Sequence, residues 1–150
     1  MHYPRGWAMA SNTPFRLYKI NAHAGGHSVP FILNWPAGQR DPDLVARGRR
    51  DQWSHVTDLL PTLCDLAGVT RPAERNGLVL QPVNGVSLAP VLRDPSAPHD
   101  HGSQYTEMSG HRGFYDGEGW EIVTRHGALT PFGDHERELY ELCTDRTETR

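Results

Sequence analysis

The sequence predicts an α/β fold, and three stretches carry that expectation. Val29–Trp35, an apolar run of β-branched and aromatic residues closed by Pro36, reads as a buried strand. Leu59, Leu60, Leu63, Leu66 and Ala67 recur at helical spacing ahead of Gly68, which supplies a stop. From Gln104 onward the texture changes to short alternating segments, the pattern of a small antiparallel sheet.

Taken in order, residues 1–28 are expected to be irregular, because Pro4, Gly6, Pro14 and the Gly25-Gly26 pair interrupt any long element. Lys19 lies in a polar segment just ahead of that pair. A glycine pair lets backbone bend tightly or approach a ligand without a Cβ in the way. The unit thus reads as a loop presenting one cation, anchored to the strand that follows. Ala37 to Arg50, with Arg40, Arg47, Arg49 and Arg50, reads as a solvated basic connector. Thr57 is expected to cap the helix, with Asp58 as a charge in its first turn and Pro61 early enough to be tolerated. Arg71 to Pro82 is expected to be a linker. Asn84 to Leu88 is expected to form a turn leading into a short helix capped by Ser87; as a nucleophile Ser87 lacks a nearby base. Asp94 to Gly102 is the most loop-like piece and the expected hinge between two parts. Strands are expected at Gln104–Met108, Arg112–Tyr115, Trp120–His126 and Glu138–Leu142, with Asp116-Gly117 and Gly119 turning the chain between two of them.

A chain of 150 residues can bury one real core, and 12 prolines with 15 glycines imply many turns. Mean hydropathy is −0.61. The net charge of −3 offers no electrostatic argument for nucleic acid or a membrane surface. No apolar run approaches the ~20 residues that span a bilayer. The segment after Met1 lacks the apolar core of a signal peptide, so a cytoplasmic location is the expectation if Met1 is the true start. Cys64 and Cys143 make a poor disulfide framework; Cys64 is expected as a small buried side chain and Cys143 as an exposed one. His99-x-His101 is half a metal site, and His23 and His27 have i, i+4 spacing, but Gly25 and Gly26 argue against a helix there. No metal site is expected.

Six pieces then fall in order within the first 36 residues: Gly6-Trp7-Ala8, Asn12 to Arg16, Tyr18-Lys19, Gly25-Gly26, Val29-Pro30 and Trp35-Pro36. Their wording resembles the sulfatase family, arylsulfatases most of all. His55 to Leu63 is similar to the family's helix signature and Gly85 to Leu88 to its Gly-Val-Ser segment. Gln104 to Met108, Arg112 to Tyr115, Gly119-Trp120, Glu138 to Leu142 and Asp145 to Glu148 are similar to pieces of the C-terminal subdomain. Departures are Ala24, where relatives carry Glu, His27, where they carry Ile or Val, and Arg137, where they carry Trp.

The resemblance implies an alkaline-phosphatase-like α/β fold, of which this chain supplies the end. Residues 1–95 would close the large sheet domain and 96–150 would form most of the antiparallel subdomain. It implies sulfate-ester hydrolysis by a formylglycine made in a Cys/Ser-x-Pro-x-Arg motif, with a divalent cation, usually calcium, held by Asp and Asn or Gln oxygens. Neither feature is in this sequence. Ser28-Val29-Pro30 and Ser96-Ala97-Pro98 lack the arginine, neither cysteine has a proline two residues on, and no Asp-Asp or Asp-Asn pair occurs. By resemblance Lys19 matches the lysine that contacts the sulfate, His23 could face the same cleft, and Tyr18 and Arg16 are loop-fixing residues. The chain alone is therefore expected to be inactive, to carry no catalytic nucleophile and to bind no calcium. The expected partners are a sulfate ester in the intact enzyme and a separately encoded N-terminal half, with no nucleic acid and no membrane. The alternative readings are a non-catalytic complementing module of a split sulfatase and a fragment of a related phosphoesterase or phosphonate hydrolase.

Overall fold

A computed structural model of the chain describes residues 4–39, 41–42, 48–98 and 101–149. Arg40, Arg47 and His99 lie outside the described residues. In chain order the elements are α1 (Arg5–Ser11), α2 (Ala24–His27), a 3₁₀ turn at Val56–Asp58, and α3 (Leu59–Ala67). Then come β1 (Glu74–Arg75), β2 (Leu78–Val79), α4 (Ala89–Arg93), β3 (Gln104–Met108), β4 (His111–Tyr115) and β5 (Trp120–Thr124). A second 3₁₀ turn at Asp134–Glu136 leads into β6 (Arg137–Glu141). The result is a mixed α/β chain with two small antiparallel sheets. No helix among the described residues is long and apolar enough to cross a membrane. The chain forms two compact units, residues 1–32 with 102–150, and residues 33–101.

The first unit is built on the sheet β3-β4-β5-β6, antiparallel throughout. Ser109 and Gly110, both at positive φ, join β3 to β4 so that Met108 faces His111, as a two-residue hairpin turn demands. Asp116 Oδ1 accepts the backbone N–H groups of Glu118, Gly119 and Trp120 at 2.7–3.0 Å and so shapes the β4–β5 turn. Register pairs Gly113 with Val123 and Glu121 with Tyr140, which puts these four on one face. Glu121, Val123 and Tyr140 are buried there, and a Cβ on Gly113 would sit 3.3 Å from the Ala22 Cβ. The N-terminal segment thus covers the sheet's inner face.

Three expectations for this region change. Residues 1–28 are not wholly irregular: α1 forms because Pro4 precedes its first turn rather than interrupting it. One turn of helix, α2, forms across Gly25-Gly26 despite the glycines. The strand expected at Val29–Trp35 is absent. Val29, Phe31 and Ile32 are exposed, at 76%, 55% and 87%, and no described strand pairs with this segment. Propensity favours a strand there, but a strand needs a neighbour to share its ladder.

In the second unit α3 ends at Gly68, in the left-handed conformation expected of a C-cap. Its start differs from expectation. His55, not Thr57, is the N-cap residue of the preceding 3₁₀ turn, in a reciprocal box with Asp58. Leu60 and Leu63 remain largely exposed. The buried interior runs instead through Ala89 and Val91 of α4 and through Thr62, whose hydroxyl donates to Asp58 O and accepts from Leu88 N at 2.8 Å. The expected linker contains the β1–β2 hairpin, turned by Asn76 and Gly77 at φ +54° and +78°. Cys64 is half-buried rather than buried, and Cys143 is exposed.

Candidate functional site

The Lys19 loop closes on itself before it touches anything else. The Asn12 side-chain amide donates to Leu17 O at 3.2 Å and to Gly25 O at 2.9 Å, bridging the two ends of the loop. Gly25 N donates to Arg16 O at 2.9 Å. A Cβ at Gly25 would collide with the carbonyl oxygens of Arg16 and Leu17, and one at Gly26 with that of Asn21. The glycine pair therefore serves close approach of the chain to itself. Leu17 and Ile20 on either side of Lys19 hold φ values of +65° and +85°, which non-glycine residues adopt at a cost. Lys19 stands exposed between them, with no hydrogen bond or ion pair among the described residues.

Glu138 on β6 ties this loop to the sheet. Its Oε2 accepts hydrogen bonds from the Arg16 guanidinium and the Tyr140 hydroxyl, and His23 Nε2 lies 3.4 Å from the same oxygen. Burial works to raise the Glu138 pKa, yet the bonds from Tyr140, Arg16 and His23 outweigh it and hold the carboxyl below its ordinary value. Burial and the bond to Glu138 push the Tyr140 hydroxyl up to about 12. His23 is fully buried, and burial lowers its pKa in spite of Glu138, which favours the neutral imidazole. Its Nδ1 has no hydrogen-bond partner among the described residues. His23 thus fixes the loop from within rather than facing an open cleft. Arg16 is the loop-fixing residue the sequence suggested.

Ala24 and His27, two of the departures from the family wording, lie on the next turn. Ala24 N donates to Glu148 Oε2 at 2.8 Å, and His27 Nε2 lies 3.2 Å from Glu121 Oε1. His23 and His27, despite their spacing, face different carboxylates.

In the second unit Asp58 is fully buried. Its Oδ2 accepts from His55 N and lies against His101 Nε2, both at 2.7 Å, and its Oδ1 accepts from Val86 N at 3.0 Å. Burial alone would raise the Asp58 pKa; the hydrogen bonds from His55, His101 and Val86 hold it below the ordinary value. This is a helix-end carboxylate stitched to two loops, as its position in the first turn suggested. Ser87 donates to Asp65 Oδ2 at 2.8 Å and accepts Ala89 N at 3.1 Å, so its hydroxyl is occupied at the start of α4. It sits one residue before the N-cap, Leu88.

No family model matches the chain. Curated proteins do. A sulfatase from Formosa agariphila is 30% identical over 93% of this chain and 25% of its own length. The Bacteroides thetaiotaomicron Delta 4,5-hexuronate-2-O-sulfatase is 50% identical over 49% of this chain and 13% of its own length. An arylsulfatase from Hemicentrotus pulcherrimus is 31% identical over 57% and 13%, respectively. The chain belongs to the sulfatase family. It spans about a quarter or less of the length of these relatives.

Of the motif pieces, Asn12 to Arg16, Tyr18-Lys19 and Gly25-Gly26 lie in the segment that Asn12, Gly25 and Glu138 hold in place. Among the described residues one group of three His, Cys, Asp or Glu ligand atoms converges, that of His27, Glu121 and Glu148, and its histidine is foreign to the all-oxygen shell that calcium takes. Sequence reading missed the anchors Glu138, Glu121 and Glu148 because their partners lie far off: Glu138 is 122 residues from Arg16, and Glu148 is 124 from Ala24. No local spacing signals such contacts.

Proposed function

We propose that this chain is the C-terminal part of a sulfuric-ester hydrolase of arylsulfatase type and that Lys19 is its contribution to the active site. The observation that carries the reading is an exposed lysine on a loop locked at both ends, within the family's motif wording. A fixed ammonium can neutralise charge on a bound sulfate and on the oxygen that leaves, and it needs no reorganisation if its loop is already rigid. The formylglycine nucleophile and the calcium site would come from sequence outside these 150 residues, in an alkaline-phosphatase-like fold. In that assembly residues 1–95 close the large sheet domain and 96–150 belong to the small one. The exposed apolar run Val29–Trp35 supports this, since it has the composition of an inner strand and lacks the sheet that would cover it.

The test has two arms. Purified alone, the chain turns over no aryl sulfate with or without calcium, because one lysine replaces neither nucleophile nor cation. Joined to the sulfatase segment encoded before it, it does, and Lys19→Ala then lowers kcat/KM by about 10²–10³. Unchanged kinetics in that variant would remove Lys19 from the site.

A further inference from the structure

We propose that His27, Glu121 and Glu148 form a binding site for a divalent transition-metal ion of the zinc type, which clips α2 to β5 and to the C-terminal turn. One ligand atom from each residue lies within 4.8 Å of the other two. His27 Nε2 and Glu121 Oε1 are 3.2 Å apart, where two ligands on one tetrahedral zinc at ordinary bond lengths would be roughly 3.4 Å apart. The other two ligand-atom separations are within 4.8 Å.

The hydrogen-bond pattern favours a bound cation. Glu121 and Glu148 are 3% and 0% exposed, and among the described residues Glu121 Oε2 and Glu148 Oε1 have no hydrogen-bond donor other than each other's carboxyl when one is protonated. His27 Nε2 has Glu121 Oε1 as its neighbour at 3.2 Å, an ion pair when the imidazole is protonated. Two carboxylate oxygens with no other donor in one buried cluster are costly when ionised, and native proteins place an ion or water where such groups converge. The remaining contact is Ala24 N with Glu148 Oε2, which orients that carboxylate from behind as an outer partner of a ligand does. One imidazole and two carboxylates suit zinc, manganese or ferrous iron rather than an alkaline-earth ion. Access exists: the His27 side chain is 25% exposed and lines a cavity of about 170 Å³ with Ile20, Gly26, Thr106 and Met108.

The experiment is equilibrium dialysis of the metal-free 150-residue chain against Zn²⁺ at neutral pH, with bound metal measured by elemental analysis and folding followed by circular dichroism. The expected result is one zinc per folded chain and a raised Tm. Glu121→Gln and Glu148→Gln, which keep side-chain volume, lower the affinity at least about tenfold. Because those positions are buried and substitution there can prevent folding, His27→Asn at the partly exposed corner is measured in parallel with the same expectation. Zinc X-ray absorption of the wild type is expected to show a single imidazole ligand. Absence of stoichiometric binding by the folded chain overturns the proposal. So does binding that survives His27→Asn, or a spectrum with several imidazoles, either of which assigns the metal to surface histidines.

Discussion

At the scale of single residues, the Lys19 loop depends on groups that never meet substrate. Gly25 and Gly26 have no room for a Cβ, because backbone carbonyls of the same loop occupy the space. Gly25→Ala or Gly26→Ala is expected to cost about 1–3 kcal/mol by forcing the backbone apart. Chemical denaturation measures the cost, and wild-type stability in both variants would mean that the loop is looser than described. Asp58 is the matching case in the other unit. Its pKa is depressed in the folded state, so its stabilising contribution is present above the ordinary value of 3.8 and is lost as pH falls through the folded value. Acidification below pH 3.8 should therefore destabilise residues 33–101, and Asp58→Asn should flatten that dependence. A steep acid transition that survives in Asp58→Asn would assign it to other carboxylates.

At the scale of elements, what the sequence disclosed follows from how local each signal is. The four strands of the C-terminal sheet were legible because alternation and the Asp116 turn are written in neighbouring residues, and the structure places them within a few residues of expectation. The helix ending at Gly68 was legible for the same reason. The β1–β2 hairpin had its signal too, in Asn76-Gly77, a dipeptide suited to two successive positive φ values, but strands of two residues carry no readable alternation. The strand at Val29–Trp35 was over-read, since composition reports that a segment fits a sheet and says nothing of whether a neighbour exists. In the site, Arg16 and Lys19 were legible from the motif. Glu138 and Glu148 were not, because strand pairing and a C-terminal turn bring them to the loop from the other end of the chain.

At the scale of the molecule, a chain spanning 25% of its Formosa agariphila relative's length is expected to keep the surfaces that the rest would cover. Val29, Phe31 and Ile32 form a contiguous exposed apolar run, an aggregation liability in isolation. Phe31→Ser with Ile32→Lys should lower light scattering by the purified chain while leaving its Tm nearly unchanged. A large drop in Tm would show instead that the run is already packed.

The central claim, that this chain completes a sulfatase whose nucleophile and cation site lie elsewhere, is tested most directly by reading the coding DNA upstream of Met1 in all frames. A Cys/Ser-x-Pro-x-Arg motif and clustered Asp and Asn ligands are expected there in a joinable or adjacent reading frame. Unrelated sequence there would contradict it, and would leave Lys19 on a well-held loop with no reaction to serve.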